Sequence, residues 1–106
     1  MPPSPPRKLG LLLAAGPDTP NFNHGLNLAE TALDHGLRVY LYCIDQAVAG
    51  LEQPRLQALK NRGLNLFACA HSAQLLGIPP GDQAAFSGLS VLSDIMADTD
   101  RFVSFV

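Results

Sequence analysis

The stretch Leu64-Asn-Leu-Phe-Ala-Cys-Ala-His-Ser-Ala-Gln-Leu-Leu-Gly77 passes from an apolar run ending at Cys69 directly into the opening of a helix that Gly77 is placed to end. A short apolar run bounded by turn signals reads as a strand buried on both faces. Leu9 to Ala15 and Leu37 to Cys43 are runs of the same kind. Between them lie helical patterns. Leu26, Ala29, Ala32 and Leu33 form one face of a helix through His24 to His35, and Pro54 stands near the start of a shorter helix carrying Leu56 and Leu59. Gly36, Gly63 and Gly77 each follow a helical stretch, where a glycine adopts the left-handed conformation that closes a helix. This alternation predicts an α/β fold. We expect a single three-layer domain in which a mostly parallel sheet of four to five strands is flanked by helices joined by right-handed crossovers.

The last third is less regular. Pro79, Pro80 and Gly81 break the chain after the Cys69 helix. Ser87 then reads as the N-cap of a helix burying Leu89, Leu92 and Met96, with Ile95 beside them. Arg101 to Val106 reads as a closing strand, whereas Ala84 to Phe86 is too short for periodicity to decide. At the other end, residues 1–7 carry four prolines and are expected to form a flexible, extended arm, leaving residues 8–106 as the α/β domain.

Composition narrows the function. A chain of 106 residues matches the commonest domain size and buries about two thirds of its unfolded surface on folding. Hydrophobic residues make up 47% and charged residues only 15%, so part of the apolar surface is expected to be covered by another subunit. A net charge of −2 with seven scattered Lys and Arg residues offers no stripe for nucleic acid or an anionic membrane. Leu9 to Ala15 is too short to span a bilayer and nothing resembles a secretory signal, so a reducing, cytoplasmic setting is expected. The three histidines show no His-x-His spacing, there is no Cys-x-x-Cys, and neither a Gly-x-Gly-x-x-Gly nor a Walker-type loop follows the first strand. A metal site and a nucleotide cradle therefore both lack their signatures.

In an open parallel sheet the functional crevice lies beyond the carboxyl ends of the strands. Strand one leads there into the loop Gly16 to His24, strand two into Cys43-Ile-Asp45, and strand three into Cys69-Ala-His71-Ser72. Cys69 is the leading candidate because a thiol at a strand-to-helix junction meets unpaired N–H groups that favour its thiolate, the reactive form. The competing reading is a small buried hydrophobe. His71 and Ser72 sit one turn on, His71 as a neighbouring imidazole or as a solvent-facing or capping residue, Ser72 as a cap or hydrogen-bond partner of the sulfur. His24, Cys43 and Asp45 are candidates to line the same edge: Cys43 as a resolving thiol or as core, Asp45 as the residue ordering Ala47 to Gly50.

Four segments, Asn27 to Tyr42, Asp45 to Gly50, Cys69 to Ile78 and Gly88 to Phe105, resemble in order the DsrE/DsrF-like (TusD-like) sulfur-relay superfamily. Cys69 matches the family's sulfur-carrier cysteine, and Asp45 matches an aspartate common after its second strand. Ala70 and Leu76 depart from the glycine and arginine often found at those places. The resemblance implies a sulfur-carrier or sulfurtransferase-like subunit that accepts persulfide sulfur on Cys69 without metal or cofactor. It also implies a homotrimer or hexamer, with sulfur-donor and sulfur-acceptor proteins as partners. Two alternatives stand beside it: a non-catalytic oligomeric interaction or small-ligand-binding domain of the same fold, and a thiol redox sensor pairing Cys43 with Cys69.

Overall fold

Among the described residues, five parallel strands lie in the order β4-β3-β2-β1-β5. They are β1 (Lys8–Leu13), β2 (Arg38–Cys43), β3 (Asn65–Cys69), β4 (Ala85–Ser87) and β5 (Arg101–Phe105). Four α-helices connect them: α1 (Pro20–Asp34), α2 (Pro54–Asn61), α3 (Ala70–Leu76) and α4 (Leu89–Asp98), with a 3-10 turn at Asp45–Gly50. The computed structural model describes residues 5–106, so residues 1–4 of the expected arm fall outside it. Pro5 to Arg7 are exposed, and the Arg7 carbonyl already accepts the Arg38 N–H at 2.9 Å.

The expected three-layer α/β domain is present, and its layers follow from topology. From β1 to β4 each new strand is added on the same side, so right-handed crossovers put α1, α2 and α3 on one face. The step from β4 to β5 reverses direction across three strands, and α4 therefore covers the opposite face. Two cores result. On the first face Leu11, Leu13, Val39, Leu41, Leu66 and Ala68 pack against Phe22, Leu26 and Ala29 of α1, Leu56 and Leu59 of α2, and Ala73 of α3. Full burial of each large side chain here contributes about 1.5–3 kcal/mol. On the second face the buried set among the described residues is Tyr42, Cys69 and Ile95, bordered by half-buried Leu12, Tyr40, Phe67, Val91, Leu92 and Phe102.

Local expectations are corrected at three places. Helix α1 begins at Pro20, not His24, because a proline at the first helical position has its φ preset and gives up an N–H that would be unpaired there anyway. The cap of α4 is Gly88, not Ser87, which ends β4. The buried face of α4 is also rotated: Ile95 is buried with Val91 and Leu92 against it, while Leu89 and Met96 stand 58% and 54% exposed. Gly10 explains the rotation. A Cβ there would lie 2.9 Å from Thr99 Oγ1 and 3.0 Å from Ile95 Cγ2, so the missing side chain admits that edge of α4 against β1.

Candidate functional site

Cys69 ends β3 and serves as N-cap of α3, whose other end is closed by Gly77 at φ 70°. Its extended backbone (φ −68°, ψ 117°) turns the sulfur back over the first helical turn, where it accepts the Ser72 N–H at 3.4 Å. A sulfur thus fills the role that a serine or aspartate oxygen plays in an ordinary cap. Ser72 is itself buried, and its Oγ accepts the Asp45 backbone N–H at 3.0 Å. That contact engages a lone pair and leaves the Ser72 hydroxyl proton to the sulfur. Asp45, the only non-glycine residue of positive φ among the described residues (53°), thereby acts through its backbone, while the residue stands exposed.

Tyr42 completes the group from the neighbouring strand. The side chain is fully buried, and its hydroxyl donates to the Ser87 and Gly88 carbonyls at 3.2 and 3.1 Å, where β4 turns into α4. Burial pushes the Cys69 thiol up; the Ser72 hydroxyl, the Ser72 and His71 backbone N–H groups and the Tyr42 hydroxyl pull it down. The donors prevail, and the thiol lies below its ordinary value. Burial also raises the Tyr42 phenol; the Ser87 hydroxyl opposes this and the Cys69 thiolate adds to it.

The residues singled out from sequence divide clearly. Cys69, Ser72 and the backbones of His71 and Asp45 come together. The His71 residue is exposed and its ring joins none of the site's hydrogen bonds. His24 lies exposed on the second turn of α1 and likewise takes no part. Of the two readings of Cys43, the structure bears out the core one and overturns its place at the site. Cys43 pairs in register with Ala68, not Cys69, so alternation sends its side chain to the opposite face, into the larger core. Fully enclosed there, its thiol is pushed up to about 12 by burial. A resolving role for Cys43 would require a sulfur to pass through the sheet. Sequence reasoning missed Tyr42 and Ser87; the alternation of Tyr40 and Tyr42 along β2 was the available sign.

The sulfur is sheltered, with Cys69 only 5% exposed. A shallow cavity of about 170 Å³ lined by Asp45, Gln46, Ser72, Leu75 and Leu76 adjoins it through Ser72. A larger groove of about 440 Å³ between Val48–Glu52 and Gly77–Gln83 contains no residue of the Cys69 group. Among the described residues no cluster of His, Cys, Asp and Glu is arranged to hold a metal, and no helix is long and apolar enough to cross a membrane.

The fold has solved counterparts. The YchN protein of E. coli superposes with a TM-score of 0.78 at 16% identity, covering 94% of this chain and 99% of that one. A conserved protein of unknown function, BT1422 from Bacteroides thetaiotaomicron, gives 0.71 at 14% identity, covering 92% and 93%. At such identities the likeness concerns the fold. No curated protein matches the sequence. The DsrE/DsrF-like family profile matches residues 7–105, from the residue before β1 to the end of β5, and the chain belongs to that family, which is generally linked to sulfur relay.

Proposed function

We propose that the protein is a sulfur-carrier subunit in which Cys69 accepts a sulfane sulfur from a donor persulfide. The observation that carries this reading is the Cys69 sulfur held by the Ser72 N–H, with surrounding donors that bring its thiol below the ordinary value in spite of burial. A thiolate of this kind attacks the outer sulfur of the donor, the donor's S–S bond breaks, and the donor leaves as its own thiolate. Neither metal nor cofactor enters the step. The junction of β4 and α4 is fastened beside the site by the Tyr42 hydroxyl. The donor and acceptor are proteins, the setting is a reducing cytoplasm, and a trimer or hexamer covers the exposed Leu89 and Met96 of α4.

The test is direct. Incubation with a persulfide donor adds the mass of one sulfur atom to the wild type and nothing to Cys69→Ser; a gain that persists in Cys69→Ser removes Cys69 from the reaction. The 5% exposure of Cys69 favours a second reading, a non-catalytic interaction domain of the same fold. That reading prevails where the wild type gains no sulfur and Cys69 resists alkylation in the folded protein. A Cys43–Cys69 redox pair has the geometry against it, since the two side chains lie on opposite faces of the sheet.

A further inference from the structure

Ser87 is the one described residue with a buried side-chain polar atom that finds no partner: its Oγ is enclosed and makes no hydrogen bond within the protein. A buried hydroxyl left unpaired costs about 1–3 kcal/mol, so its position calls for an explanation. Its place in the sheet supplies one. Ser87 is the direct register partner of Cys69 in the parallel β3–β4 pair, so the two side chains leave the same face from strands about 4.8 Å apart. Tyr42 confirms the proximity from a third strand, because its hydroxyl contacts the Ser87 carbonyl and also bears on the Cys69 thiol. The Ser87 hydroxyl lies near enough to the Tyr42 oxygen to favour its ionised form, yet no hydrogen bond of acceptable geometry joins them. It is a donor on the face of the reactive sulfur whose only influence in the unloaded protein falls on the neighbouring Tyr42 oxygen, without a well-formed hydrogen bond.

Resting on the carrier reading above, we infer that Ser87 is the binding residue for the second sulfur: its hydroxyl donates to the terminal atom of a Cys69 persulfide. The division of labour follows from register. Ser72, one helical turn beyond Cys69, serves the inner sulfur. Ser87, one strand across, projects from the same face of the sheet as Cys69 and is left to serve the outer one. With glutathione persulfide as donor, the Cys69 thiolate bonds to the outer sulfur, the donor's S–S bond breaks, and glutathione leaves as thiolate. The transferred sulfur keeps its proton and then releases it to solvent. One S–S bond is lost and one gained, and no oxidant is required. The anion so formed is what the unoccupied hydroxyl meets, and a hydrogen bond to a charged acceptor is stronger than one between neutral groups.

The experiment compares wild type with Ser87→Ala in mixtures of glutathione persulfide and glutathione, reading the loaded fraction by intact-protein mass. Removing an unpaired hydroxyl leaves the fold intact, which a thermal melt checks. The expected result is a sulfur-partition constant about tenfold lower in Ser87→Ala, the loss of one charge-assisted hydrogen bond. The pH profile of alkylation of unloaded Cys69 should superimpose on that of the wild type, because Ser87 has no hydrogen bond to the inner sulfur. An unchanged partition constant overturns the assignment, as does a shift of both readouts together, which marks a structural role. If the wild type loads no sulfur, the carrier reading falls and this assignment falls with it. Loading with equal retention in both proteins removes only the role of Ser87.

Discussion

The two faces of the sheet hold one cysteine each, and they make opposite things of it. Cys43 lies under three helices, surrounded by hydrocarbon, with its thiol pushed up to about 12. Cys69 lies under one helix, nearly as enclosed, yet its thiol falls below the ordinary value. Burial acts in the same direction on both. What differs is the supply of donors: the first face brings only apolar side chains to Cys43, whereas the second brings the Ser72 hydroxyl and N–H, the His71 N–H and the Tyr42 hydroxyl to Cys69. Enclosure alone does not tell a reactive thiol from packing material; the polar atoms enclosed with it do.

The strongest challenge to this contrast is chemical. A rise of the Cys43 thiol from 9.0 to about 12 cuts its thiolate fraction near neutrality about a thousandfold. Native-state alkylation followed by peptide mass analysis is therefore expected to label Cys69 well ahead of Cys43. Comparable labelling of the two would dissolve the distinction. The sign for stability follows from the same shift. Cys43 keeps its proton in the fold while the unfolded thiol loses it, so its contribution is intact below about pH 9 and declines as pH rises toward 12.

Much of this was legible in the chain. The helix-ending glycines and the three apolar runs gave the alternating βα order, and Cys69 stood out as the residue between a run and a helix. Which thiol faced which core was not legible. It depends on parity: Cys43 pairs with Ala68, and a slip of one residue would have exchanged the faces. Tyr42 and Ser87 were hidden for the same reason. Nothing in Ala85-Phe-Ser87 indicates that a three-residue strand sets Ser87 beside Cys69. The exposed Leu89 and Met96 likewise defeated hydropathy, since the rotation of α4 is set by space above Gly10 on a distant strand.

A smaller effect sharpens the comparison from the packing side. Gly10→Ala places a methyl 2.8 Å from Phe102 Cδ2 and against Ile95 and Thr99. It should destabilise the protein by about 2 kcal/mol in denaturant titration, by pushing α4 from the thinner face. Native alkylation of Cys69 should quicken, while Cys43 stays protected. Equal deprotection of both thiols would mean that the two cores open as one unit. The smallest effect concerns one hydroxyl. Ser72→Ala removes the acceptor of the Asp45 N–H and a donor to the sulfur, at a cost of about 1 kcal/mol. The inflection of Cys69 alkylation against pH should move upward, and an unmoved inflection would assign the lowered thiol to the backbone N–H groups and Tyr42.

The pairing of β5 with β1 joins Leu9 to Arg101, nearly the full span of the described sequence. Contacts of such long range form late, because the entropy of closing the intervening loop must be met first. Helix α4 gains its seat only when that closure occurs, and Ser87 and Gly88 are held over the sulfur only once α4 is seated. A folding intermediate lacking β5 would thus keep the Ser72 and His71 donors that α3 brings to Cys69 but leave the sulfur uncovered on the side of α4. The last closure of the chain is also the one that encloses its nucleophile.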